Sequence, residues 1–481
     1  IVVRFAMGPD ENAKDDEGSI RGETCEANPS PLGFVKAYYF VTFCYQATFH
    51  RFLTLYFEKD GLSADQIGVL WSVHRVCTTI STPVWAALAD KTKRARTMIQ
   101  VSLAVSVLPF LCFSLPVSSG ARMPARAATL WIFGLCFSPQ AALRDSLAIA
   151  ASGGDSDRWG KARVYGAVGW GLMHFTMGPL LDLFGFAIDF IAFVFFSCIL
   201  FFVTRSSVPE ACGQVRKEVT TRAVLDVFAK NRLFFVNMVA IGAGFSMVEG
   251  MLFLLLKELQ ASTMLCGLSV VVTVIFELPI FGHAQFFLQK LGAHKMILLG
   301  QFAWVVRAFF YANMSQAWTV LLIEPLHGVT FALVWTASTQ YVADPAISGQ
   351  GLEASAQGLL NVCFMGIGPI LGLSIGGFLF EHLGSHAVYG VFAVVILGSG
   401  LVYMKWGARE VESNGSLEHQ VEKDPSAIGR TLSLGDCDSI GSREGINEAE
   451  ALTEARDAGK IGIEDSCEFL PPQSDFDPSM K

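Results

Sequence analysis

The sequence predicts an all-α integral membrane protein, with twelve transmembrane helices in two six-helix pseudo-repeated halves. Three observations carry this. Of the 481 residues, 52% are hydrophobic and only 16% charged, and the mean hydropathy is +0.45, far from the composition of a soluble domain. Between residues 33 and 405, apolar runs of about 20 residues follow one another, each able to cross a hydrocarbon core of about 30 Å. The second set of runs repeats the first at a constant offset of 199 residues.

Residues 1–32 are polar and lack the apolar core of a signal peptide, so a disordered cytoplasmic tail is expected there. The chain opens on Ile1 rather than Met, which leaves the completeness of its N-terminus open. The N-terminal half, 33–204, holds segments 33–57, 64–89, 96–116, 125–151, 161–182 and 184–204. Residues 205–230 are the long charged interruption, expected as a cytoplasmic central loop. The C-terminal half, 231–406, holds segments 231–257, 263–288, 294–313, 316–343, 352–381 and 385–405. Residues 407–481 turn polar and acidic without an apolar period, as expected of a disordered cytoplasmic tail. Ser426, Thr431 and Ser433 in it are either phosphorylation sites or solvated linker.

Basic residues set the orientation. Lys91, Lys93, Arg94 and Arg96 follow the second segment, Arg158, Lys161 and Arg163 the fourth, and Lys290 and Lys295 the eighth. The central loop adds more, all on one side, so both termini are expected in the cytoplasm. The repeat carries Gly68 to Gly267, Asp145 to Asp344, Gly178 to Gly377 and Asp182 to Glu381. Because the offset spans an even number of helices, the halves run parallel about an axis along the membrane normal. Gly368, Gly372 and Gly376 repeat along one helix face and permit close contact there.

Ionisable residues inside these segments are the functional signal. Glu324 and His327 stand three residues apart, on one face of the tenth segment. At bilayer depth such groups cost several kcal/mol unless they face protein or water, which marks a functional site; the alternative is a satisfied pair locking two helices. At 1.5 Å per residue, Glu324 and Arg307 lie roughly 9 Å from the outer helix ends, Glu249 and Arg75 roughly 12 Å, His327 roughly 14 Å and Glu277 roughly 20 Å. Acids and bases from five segments thus share one slab. A carboxylate whose surroundings alternate between a dry pocket and a paired cation changes its proton occupancy. Glu324 or Glu277 is therefore the candidate proton carrier and Arg307 its charge partner; a static ion-pair network is the alternative.

Arg75, with His74 beside it, is a candidate for binding a substrate anion or hydroxyl, against a purely structural pair with Glu249. His174 is either a ligand or hydrogen-bonded packing, and Trp71, Trp170, Trp304 and Trp335 either stack on a ring or mark an interface. His50-Arg51 reads as an entry site or as a snorkelling arginine, and Arg144-Asp145 as an interfacial ion pair or inner gate. Eleven cysteines are scattered singly, with no CxxC pair and no His cluster at metal spacing. No nucleophile–base pair or phosphate loop is visible, so neither an enzyme nor a nucleic-acid role is expected.

The string WAALADKTKR, Trp85 to Arg94, resembles the inner-loop signature of the major facilitator superfamily, Gly-x-x-x-Asp-Arg/Lys-x-Gly-Arg, with Ala86 and Lys93 in place of its glycines. GLSADQIGVL (61–70), ARVYGAVGWG (162–171), FELP (276–279), EPLHGVTFAL (324–333), SAQGLL (355–360) and GIGPILGLSIGG (366–377) resemble the branch near the lactose permease and the nucleoside/proton symporters, which also holds poorly characterised eukaryotic members. The resemblance covers about residues 33 to 405. It implies that Asp90, Lys91 and Arg94 form an inner-loop gate, with a basic loop that only sets topology as the alternative. Glu277, Arg307 and the Glu324/His327 pair are placed much like the Glu, Arg and His/Glu pair of the lactose permease, with the order on the tenth segment reversed. The implied function is a secondary active transporter for a small polar organic solute, sugar or nucleoside-like, working by alternating access with proton symport. A facilitative uniporter and a non-transporting receptor on the same fold are the alternatives. No cofactor is expected beyond a proton gradient. The expected partners are the solute, the bilayer and cytoplasmic proteins meeting the C-terminal tail, around a monomer.

Overall fold

The computed structural model describes residues 30–153, 155–207 and 220–407. The two tails lie outside the described residues, including Ser426, Thr431 and Ser433. The described chain is helical over most of each predicted segment. The N-terminal half comprises α1 (Leu32–Ala47), α2 (Phe52–Lys59), α3 (Ala64–Thr92), α4 (Ala95–Cys112), α5 (Ser119–Ala151), α6 (Ser156–Phe184) and α7 (Ala187–Ser207). After α8 (Thr221–Lys230), the C-terminal half comprises α9 (Arg232–Glu258), α10 (Thr263–Gly282), α11 (Ala284–Ala312), α12 (Val320–Ala343), α13 (Pro345–Ser348), α14 (Glu353–Asn361), α15 (Gly368–Leu383) and α16 (Ser385–Val402). Eight helices among the described residues are long and apolar enough to cross a membrane by length and composition. The helices α3, α5 and α6, of 29, 33 and 29 residues, have the length with a more polar composition.

The structure departs from the predicted segments in four places. The first segment is two helices: α1 ends at Ala47 and α2 begins at Phe52. At the break, the Thr48 hydroxyl donates to the carbonyl of Tyr45 at 2.8 Å, so a side chain supplies a bond that the helical ladder otherwise would. The central loop contains α8, which Thr220 caps by accepting from the amide of Ala223 at 3.4 Å and which packs on α14 and α9. The eighth helix stops at Gly282, and residues 284–291 join α11 through a kink at Gly292, whose φ of 72° suits a residue without Cβ. Between α14 and α15, Val362–Ile367 winds as a π-helix; Pro369 follows, and its missing N–H interrupts the regular ladder.

Within the first half α1 packs on α6 and α7, α3 on α5, and α4 on α5 and α7; within the second, α9 packs on α15 and α16, and α12 on α10 and α11. The halves join along two helix pairs, α3 with α15 and α6 with α10. Each seam is a backbone-to-backbone contact. A Cβ on Gly68 would lie 3.0 Å from the Cα of Gly377, and one on Gly178 would lie 2.8 Å from the Cα of Met264. Gly267 likewise meets the backbone of His174. Gly68 and Gly267, like Gly178 and Gly377, are one offset apart, so the two seams are the same contact used twice. The glycine stripe of the eleventh segment turns elsewhere: Gly368 and Gly372 face the backbone of α9 around Val239 and Ala243, inside the second half.

Both seams end in the same device. Asp182, at the end of α6, accepts from the amides of Thr263 and Met264 at 3.1 and 3.0 Å, in the first turn of α10. Its repeat equivalent Glu381, at the end of α15, accepts from the amide of Ala64 at 2.9 Å, in the first turn of α3. A carboxylate from one half thus caps a helix of the other, where the exposed amides favour negative charge. Lys257 and Glu58 add an ion pair between the halves at this rim. Another network lies within the first half. Asp145 accepts from Tyr39 at 2.7 Å, Arg144 at 3.2 Å and Arg163 at 3.4 Å, joining α1, α5 and α6.

Candidate functional site

The predicted slab of charges resolves into two groups. The first lies within the C-terminal half, where α10, α11 and α12 meet. Glu324 is fully buried and accepts hydrogen bonds from the hydroxyls of Tyr311 and Thr273. The Tyr311 oxygen accepts in turn from Arg307 Nε at 2.9 Å. Arg307 and Glu324 are therefore linked through a phenol rather than in direct contact. The two other guanidinium nitrogens of Arg307 are buried without a hydrogen-bond partner among the described residues. His327 Nδ1 comes within 3.5 Å of Glu324 Oε2, and its ring meets Phe245 edge-on. Tyr389 on α16 packs its ring 5.1 Å from Tyr311. The spacing of Arg307, Glu324 and His327 made these residues visible in the sequence. Tyr311 and Thr273 were not singled out, although each stands four residues from a flagged charge, Arg307 and Glu277 respectively.

The second group lies between the halves. The break after α1 places His50 and Arg51 inside the protein instead of at a membrane surface, so Arg51 does not snorkel; it is 3% exposed and pairs with Glu249 of α9 at 3.3 Å. Glu249 therefore takes Arg51, and not Arg75, as its partner. Arg75 lines a small cavity with Glu249, His50, Trp71 and Ser246. His174 Nδ1 donates to Trp170 O at 2.9 Å, its ring stacks on Phe52 and its Nε2 is buried without a partner among the described residues. Replacing Arg51 alone leaves Glu249 facing the cavity unpaired. Arg51→Leu is expected to lower stability by about 2–3 kcal/mol, with the Arg51→Leu/Glu249→Leu pair recovering most of it, as thermal unfolding in detergent would measure.

Other predicted residues stand apart from both groups. Glu277 is half-buried one helical turn beyond Thr273 and makes no hydrogen bond or ion pair with Glu324. Trp335 stacks on Phe331 and tilts against Phe364 in an aromatic row. Lys91 and Arg94 are exposed and Asp90 is half-buried at the end of α3. Lys93, where the inner-loop signature has glycine, adopts a left-handed φ of 56°, the conformation for which glycine is ordinarily kept. The Arg144-Asp145 pair stays inside the N-terminal half.

Two helical halves meeting along repeated glycine seams, with buried ionisable groups within and between them, define a multi-pass membrane transporter of the major facilitator fold. The chain belongs to the MFS_1 like family, whose model matches residues 33–391. It is 26% identical over 373 residues to the uncharacterized transporter YwbF of Bacillus subtilis, covering 76% of this chain and 91% of that one. It is 23% identical to the maltose permease of Geobacillus stearothermophilus, over 78% of this chain and 93% of the permease. The crystal structure of the nucleoside transporter NupG superposes with a TM-score of 0.66 at 18% identity, over 78% of this chain and 98% of NupG. At that identity the likeness concerns the fold.

Proposed function

We propose that this protein moves a small polar organic solute across the membrane by alternating access of the two halves, coupled to protons through Glu324. The observation that carries the proposal is the chain from Arg307 through Tyr311 to a fully buried Glu324, closed on its other side by Thr273. A carboxylate held only by rotatable hydroxyls, beside a histidine, can gain a proton when those hydroxyls turn away, and can lose it when they return. A direct Arg–Glu pair would hold its charge far more rigidly. With both termini in the cytoplasm, as the basic loops require, the capped rim is the outer face, and the halves are drawn together on that side. The names of the maltose permease and of the nucleoside transporter NupG fit a polyhydroxylated solute. No bound cofactor is needed, since the proton gradient supplies the work.

The test is proton movement in sealed proteoliposomes carrying a trapped pH dye, while radiolabelled solutes are added one at a time. Proton uptake triggered by a solute, in step with its entry, is the expected result. Solute that equilibrates with no pH change would leave a uniporter and remove Glu324 from the mechanism.

A further inference from the structure

We propose that the cavity between the halves selects a solute bearing a carboxylate, and that Arg75 anchors that carboxylate. The inference deepens the transporter reading above and rests on it. The cavity is lined by one acid, Glu249, and one guanidinium, Arg75. Glu249 is taken by Arg51 at 3.3 Å, so that pair cancels. Arg75, on the wall formed by α3, has no side-chain hydrogen-bond or ion-pair partner among the described residues, and its Nε is buried. Glu277 is not among the residues that line the cavity. The cavity therefore carries one net positive charge.

The polar atoms left over around it point the same way. Of the side chains that line it, Arg75 Nε is a donor only and the ring nitrogen His50 Nδ1 can donate as well; both are buried without partners among the described residues. A neutral polyol offers weak acceptors to such a set. A carboxylate offers two strong ones in the planar geometry that a guanidinium matches with paired bonds. The ligand class is thus a small organic monocarboxylate.

Matched probes test this in proteoliposomes: radiolabelled glucuronate and shikimate against glucose and uridine. Saturable uptake of a carboxylate is expected, with apparent affinity reduced roughly tenfold or more by Arg75→Gln and much less by Arg75→Lys. Glucuronate is also expected to raise the unfolding temperature of the detergent-solubilised wild-type protein and not that of folded Arg75→Gln, which separates lost binding from lost folding. Uptake of glucose or uridine with neither carboxylate moving would overturn the inference and leave the transporter reading standing. Carboxylate uptake indifferent to Arg75→Gln would overturn the assignment to Arg75. No movement of any of the four through folded protein would count against both.

Discussion

Glu324→Gln is expected to abolish uphill accumulation of solute while leaving exchange between equal concentrations intact. The substitution keeps the side chain's size and its acceptor for one hydroxyl. It replaces the second acceptor with an amide donor, from which one of the two hydroxyls must turn to accept, and it removes the titrating group. Transport that requires only the movement of the halves survives; transport that requires a proton to be carried does not. Glutamine also leaves the buried Arg307 uncompensated, at a cost of about 3–5 kcal/mol. The Arg307→Gln/Glu324→Gln double variant therefore belongs beside it, since restored stability without restored accumulation assigns the loss to coupling. Accumulation that still follows the pH gradient in folded Glu324→Gln would sink the assignment, and Glu277 would be the next carboxylate to test.

The second large effect concerns the rim. Asp182→Ala with Glu381→Ala removes both carboxylate caps that tie a helix of one half to the other. Each cap is worth about 1 kcal/mol, so together the ratio of closed to open rim is expected to fall about thirtyfold. Pulsed EPR between spin labels at Lys59 and Gln260, both exposed at this rim, would read the change as a new population of longer distances. An unchanged distance distribution would mean that the glycine seams alone hold the rim shut. Of the single variants, Asp182→Ala is expected to have the larger effect, because Asp182 accepts from two amides and the Thr263 hydroxyl whereas Glu381 accepts from one amide.

How much of this was legible in the chain depends on which interactions are local. The succession of helical segments was readable because a membrane demands apolar runs of a set length. The repeat was readable because Gly68, Gly178, Asp182 and their partners recur at one offset. The pairing of Glu324 with His327 was readable from helical spacing. The break at residues 48–51 was not, since no proline or glycine marks it; it becomes intelligible only with Arg51 buried against Glu249, 198 positions away. Tyr311 and Thr273 escaped notice because a hydroxyl in an apolar helix is unremarkable until a carboxylate lies beside it. The single slab of charges divided in two because depth is only one coordinate. The face of each helix, which decides whether a group points into its own half or across to the other, is set by packing.

The amino-acid sequence by itself therefore determined the class of fold, the two halves, the repeat and the charged residues at membrane depth, since each follows from composition and period along one chain. The tertiary structure alone decided which charges meet: Glu324 with Tyr311 and Thr273, Arg51 with Glu249, and Arg75 with no hydrogen-bond or ion-pair partner among the described residues. Those pairings depend on distances between helices that are remote in sequence, and a fraction of a helical turn is enough to exchange one partner for another.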